Sequence, residues 1–227
     1  PAAALAMLPI LPAEETVGRG FGVTSLANPA VKYSRPAKPY AVLKRGAVEA
    51  VIVDNSAVDD EVLRGHRAGY SGVALLRHQR QPETLFVPAY SGLNFEHILD
   101  GTASTDRRIQ FEPRNHPMEL RVIDAYTAEL CQPPTFHHAL ESCQRYALIE
   151  DGTIELTVEL IARQPTFKNG YINLFWASYI NQPESLDIHF RGLPVPPAQR
   201  AAAESNGQPR EYLSRGAATV RERETAE

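Results

Sequence analysis

Between Glu141 and Gly192 apolar residues return at every second position, with turn residues set between the runs. This period of two constrains the fold more than any other feature, because side chains alternate between faces along a β-strand. ESCQRYALIEDGTIELTVEL, then GYINLFWASYIN, then LDIHF read as successive antiparallel strands. Glu150-Asp151-Gly152 suits a three-residue hairpin loop, a type I turn closed by glycine in the left-handed region. That loop predicts Leu148 opposite Ile154, Tyr146 opposite Leu156 and Gln144 opposite Val158, with Ile154, Leu156, Val158 and Leu160 toward the core. The other face carries Arg145, Glu155, Thr157 and Glu159, with Arg145 expected near both glutamates. A slip by one residue would turn Arg145 into the apolar layer, at a desolvation cost of several kcal/mol.

Residues 171–181 are large on both faces. Ile172, Leu174, Trp176 and Ile180 share one side; Tyr171, Asn173, Phe175 and Tyr179 share the other. Such a strand is expected at the centre of a sheet, covered on both sides. Upstream, residues 48–53, 72–76, 84–87, 118–123 and 127–131 read as short strands, the last two turning at Asp124-Ala125-Tyr126. Residues 59–66 read as one or two helical turns. Eighteen prolines against 14 glycines suit short strands and rigid turns better than long helices. The expected fold is an all-β antiparallel β-sandwich with few short helices. Its expected organisation is an extended arm over 14–47, the sandwich over 48–193, and a mobile or partly helical tail over 194–227. Tyr-Ser-Gly occurs twice, at residues 70–72 and 90–92, which is too little for a repeat architecture.

At 227 residues with 43% apolar and 22% charged side chains, the chain can bury one sizeable core. A net charge of −4 supplies no basic field, so no nucleic-acid partner is expected. No apolar run reaches the roughly 18 residues of a membrane span. The opening PAAALAMLPILPA, followed by Glu14 and Glu15, has the look of a secretory h-region with its small-residue end. A periplasmic or secreted protein is the expected reading; an ordinary buried N-terminal segment is the other. Cys131 and Cys143 are the only cysteines. They read either as a disulfide joining neighbouring strands or as two buried thiols.

Three groups of residues carry possible chemistry. His137, His138 and Glu141 are ligand-type side chains that His189 could complete, yet adjacent histidines on a strand point to opposite faces and HHALE has no helical setting. No metal or other cofactor is expected. Asn94, Glu96, His97, Glu112, Arg114, Asn115 and His116 form the second group. There a His–Glu pair can exchange protons near neutral pH, and the Arg114 fork can hold a carboxylate or vicinal hydroxyls. Tyr171, Asn173, Tyr179, His189 and Arg191 form the third, combining an aromatic platform for sugar C–H faces with amide and guanidinium donors for hydroxyls. No G-x-S-x-G, P-loop or G-x-G-x-x-G is present.

The hairpin YALIEDGTIELTVEL and the aromatic run GYINLFWASYIN, within residues 141–192, resemble the galactose-mutarotase-like β-sandwiches of bacterial carbohydrate-active proteins. The resemblance implies a supersandwich-like fold and a sugar bound in a concave sheet face. It also implies histidine and glutamate as acid and base, in a reaction of epimerase or lyase type. His97, His137 or His189 would then supply the acid, and Glu141 or Glu112 the base. Arg114, His116, Asn173, Tyr179 and Arg191 are the expected substrate contacts. The alternative is a non-catalytic β-sandwich that binds glycans or partner proteins.

Overall fold

Alternation and turn chemistry produce antiparallel sheets in the computed structural model, which describes residues 23–150 and 152–181. The segment 1–13, the run from Leu186 to Phe190 with His189 and Arg191, and the tail 194–227 lie outside the described residues. β1 (Tyr40–Arg45), β2 (Val48–Val53) and β3 (Gly72–His78) form one sheet in that order. β4 (Asn94–Leu99) pairs with β9 (Asn173–Ala177). β5 (Glu119–Asp124), β6 (Thr127–Gln132), β7 (Leu140–Leu148) and β8 (Ile154–Ala162) make a four-stranded meander. Two single-turn helices, α1 (Arg107–Gln110) and α2 (Glu112–Asn115), precede β5. All strand pairs are antiparallel, so the fold is the expected all-β sandwich.

The β7–β8 register is the one the three-residue loop dictates: Leu148 faces Ile154, Tyr146 faces Leu156 and Gln144 faces Val158. Gly152 takes φ +81°, and Ile149 N–H closes the loop on the Thr153 carbonyl. The core side of the meander, with Leu120, Ala128, Leu130, Tyr146 and Leu148, packs against Leu43, Ala50, Ile52 and Val73 of the first sheet and Phe95 and Ile98 of β4. Burial of each Leu, Ile, Val or Phe among them contributes about 1.5–3 kcal/mol. Tyr146 is fully buried and its phenol donates to the Leu93 carbonyl, while burial pushes its pKa up.

Several expectations are corrected. One strand covered on both faces is β2, whose Val48, Ala50 and Ile52 join the main core while Val51 and Val53 pack with Leu63 and Ala74 beneath residues 54–66. Residues 171–181 instead contribute β9, paired with β4 alone, and an isolated bridge at Ile180, with Phe175 47% exposed. Their aromatic bulk serves the outer surface on one side, and on the other Trp176 stacks on Phe95 at 4.8 Å. The stretch expected as an arm contains β1, because Ala41 and Leu43 alternate into the core. Residues 59–66 form no helix; Asp60 Oδ1 accepts from the Val62 and Leu63 amides and holds a bend. Residues 84–87 give an isolated bridge from Phe86 to Ile180 rather than a strand.

The outer face of the meander is also covered, by residues 23–28. This explains why all six residues of β6 are buried. Two cross-strand rows run beneath that segment: Arg121, Glu129, Arg145 and Thr157, and beside it Glu119, Cys131, Cys143 and Glu159. Arg145 pairs with buried Glu129 at 3.4 Å on β6, rather than with Glu155 and Glu159. The Ser25 amide and hydroxyl donate to the same Glu129 carboxylate, and Thr24 bonds Glu159. Cys131 and Cys143 face each other in register and form a disulfide, which decides between the two cysteine readings. Closing a loop over a separation of 12 residues restricts the unfolded chain, so a Cys131→Ala/Cys143→Ala variant is expected to lose about 2–3 kcal/mol in urea unfolding. An unchanged midpoint would assign the bond no part in stability.

Candidate functional site

The site begins at an irregularity. The β4–β9 register shifts between Phe95 and His97, so Glu96 is the extra residue of a bulge. A bulge re-aims the side chain it carries. Phe95 and Ile98 stay in the core while the Glu96 carboxylate turns toward α2 and the loops before β3 and β4. Glu96 Oε1 accepts from Arg114 Nη1 at 3.1 Å, from Tyr179 Oη at 3.3 Å and from Asn94 Nδ2 at 3.4 Å. Arg114 Nε also bonds the Gly69 carbonyl at 2.8 Å, and its guanidinium lies 3.9 Å above the Tyr70 ring. Cation–π contact and ion pair together fix the orientation of the planar fork.

Tyr70, beneath that fork, belongs to a cluster of three tyrosines. The Tyr70 and Tyr90 ring centroids are 5.1 Å apart, Tyr90 and Tyr179 5.1 Å, and Tyr70 and Tyr179 6.2 Å. All three rings are half-buried. The two Tyr-Ser-Gly copies explain the meeting. Val73 and Gly92 exchange backbone hydrogen bonds, which sets the two tripeptides side by side. Gly72 has φ +98° and a Cβ there would lie 2.6 Å from the Gly92 and Leu93 carbonyl oxygens, so only glycine permits the approach. The Tyr179 phenol is held above its ordinary pKa, first by burial and then by the adjacent Glu96 charge, and so stays a donor.

The other expected site residues are dispersed. His97 lies beside the cluster: Nδ1 donates to the Gln110 carbonyl at 2.5 Å, and Nε2 stands 3.8 Å from Glu96 Oε2, outside hydrogen-bond range. Arg114 and Tyr179, taken from different groups in the sequence, meet on Glu96. Asn173 is exposed at the far end of β9, opposite Leu99. His116 offers its carbonyl to Asn55 and Gln132 and is not part of the cluster. Glu141 is on β7, paired with Arg163. His137 is exposed on the β6–β7 loop, where its amide bonds Glu112. Tyr70 and Tyr90 were not expected as site residues; the repeated tripeptide was their only trace in the sequence.

A second His–Glu pair is structural in character. Glu112 Oε2 accepts from His138 Nδ1 at 2.5 Å and from the His138 amide at 3.2 Å, while the His137 amide bonds Oε1. Both side chains are buried, and Phe167 lies over the His138 ring at 5.8 Å. Burial would raise the Glu112 pKa, but the His138 and His137 hydrogen bonds outweigh it and hold it below its ordinary 4.5. A depressed carboxylate stabilises the fold above the unfolded pKa and loses that contribution as pH falls through the folded one. Stability is therefore expected to decline below about pH 4.3. In Glu112→Gln this part of the decline should disappear from urea midpoints taken between neutral and acid pH. An identical slope would remove Glu112 from the account.

No family model matches the chain, and no curated protein or solved structure shows significant similarity to it.

Proposed function

We propose that this domain is a carbohydrate-binding β-sandwich module whose sugar site is built from Tyr70, Tyr90, Tyr179 and Arg114. The observation that carries the reading is a cluster of three half-buried tyrosine rings, one of them beneath a guanidinium that is paired with Glu96. Aromatic faces take the C–H side of a pyranose, and phenol and guanidinium groups serve its hydroxyls. Two of the Arg114 nitrogens are committed to Gly69 and Glu96; Nη2 has no hydrogen-bond partner among the described residues and would serve a hydroxyl or a uronate carboxylate. Binding is favoured over proton transfer because the one carboxylate in the cluster is buried and already accepts from Arg114, Tyr179 and Asn94. Of the histidines expected as the acid, His97 borders the cluster, and the Glu96 carboxylate beside it is not free to act as a base. Export of the protein is part of the proposal, and the Cys131–Cys143 disulfide supports it, since such bonds persist in oxidising compartments.

Titration with neutral sugars, uronic acids and short oligosaccharides, read by calorimetry, tests the reading. One class is expected to bind, with affinity falling roughly tenfold in Tyr90→Ala and about fivefold in Tyr179→Phe, the latter for one lost hydrogen bond. Folded protein that binds no sugar at millimolar concentration, or binding indifferent to both substitutions, would sink it.

A further inference from the structure

We propose that reduction of the Cys131–Cys143 disulfide converts the covered outer face of the meander into a site for a thiophilic divalent cation such as zinc. Glu129, Cys131 and Cys143 each point a ligand-type atom to the same spot, all within 4.8 Å of one another, and all three are buried. Ser25 Oγ stands 3.8 Å from the Cys131 sulfur, 4.0 Å from that of Cys143 and 2.5 Å from Glu129 Oε2, so a fourth donor, an oxygen, lies close to the other three. Two thiolates, one carboxylate and one hydroxyl make a four-donor set of the kind zinc accepts in tetrahedral geometry.

Placement in the fold favours the site. Cys131 and Cys143 are cross-strand partners in the middle of the meander, on strands that carry the register whether or not the sulfurs are joined. The 23–28 segment closes the face from above through Val23, Thr24 and Ser25, so the donors are buried beneath it rather than on a surface. Charge also balances. A dithiol, or a phosphine with one water that leaves as the phosphine oxide, delivers two electrons and two protons to the disulfide, giving two thiols. The cation then displaces those two protons, so the net charge between Arg121 and Arg145 is the same before and after it binds. The sulfurs part by side-chain rotation to span two metal–sulfur bonds of about 2.3 Å each.

The test uses the full chain reduced with a phosphine under anaerobic conditions and titrated with cobalt(II), then zinc. The expected result is one equivalent of cobalt per chain with thiolate-to-cobalt charge-transfer absorption, displaced by zinc. About two protons should be released per zinc in calorimetry repeated across buffers. The signal should be absent from the oxidised protein and from Cys143→Ser, and Glu129→Gln should weaken binding roughly tenfold or more. Circular dichroism of the reduced chain and of Cys143→Ser confirms that each is folded. Two free thiols on a folded chain with no charge-transfer band would overturn the proposal. So would a band of equal strength in Cys143→Ser, or a reduced chain that unfolds and is not refolded by zinc.

Discussion

Gly72→Ala is expected to lower the unfolding free energy by about 3 kcal/mol, combining left-handed backbone strain with overpacking. The methyl group would meet two backbone carbonyl oxygens at 2.6 Å, and neither can rotate away as a side chain would. Relief requires separating the Val73–Gly92 bridge, which is the contact that brings Tyr70 to Tyr90. Stability and sugar affinity should therefore fall together. Gly46→Ala is the control: φ there is +56°, but nothing lies within 4 Å of the new Cβ, so about 1 kcal/mol is expected from strain alone. Urea unfolding of both variants decides the matter, and equal losses would mean that the close approach of the two tripeptides contributes nothing.

Arg145→Ala is expected to cost about 3–5 kcal/mol, because it strips the cation from a carboxylate with no solvent exposure. The Ser25 amide and hydroxyl still donate to Glu129, which places the loss toward the lower end of that range. The double change Glu129→Gln/Arg145→Met should recover part of it by removing both charges, since a buried pair replaced as a unit is often close to neutral. The same change also tests the covering segment, as Arg145 donates to the Val23 carbonyl. Protease sensitivity confined to residues 23–28 in Arg145→Ala would show that the pair anchors the segment. A loss under 1 kcal/mol with unaltered proteolysis would show that Glu129 is satisfied by Ser25 alone.

The β7–β8 hairpin illustrates what a sequence can determine by itself. Its loop length, glycine position and alternation are all local, and a one-residue slip would invert every side chain, so only one register survives. The β5–β6 hairpin turns where Asp124-Ala125-Tyr126 indicated, for the same reason. Arg145 marks the limit of that reasoning. Its face was legible, but its partner is Glu129 on a third strand, and no local rule specifies which pair of strands will carry a charge row.

Residues 171–181 show a different failure. Large side chains on both faces are equally consistent with a central strand and with an edge strand bearing an exposed aromatic surface. β9 is the second, because it is bonded only to β4. The candidate site follows the same rule. Arg114 and Tyr179 could be singled out by residue type, whereas their meeting depends on a bulge at Glu96 and on the contact between two distant tripeptides. Asn173 and His116 had suitable chemistry, but the fold points them elsewhere.

Local alternation and turn residues alone thus determined the all-β class, the positions of most strands and the pairing of adjacent hairpins, since these are set by interactions within a few residues. Which strands are covered on both faces, whether the two cysteines bond, which carboxylate receives Arg145 and which tyrosines cluster beside Arg114 were decided only by tertiary structure. Each depends on pairs far apart in the chain, and their energy is gained only after the loops between them have closed.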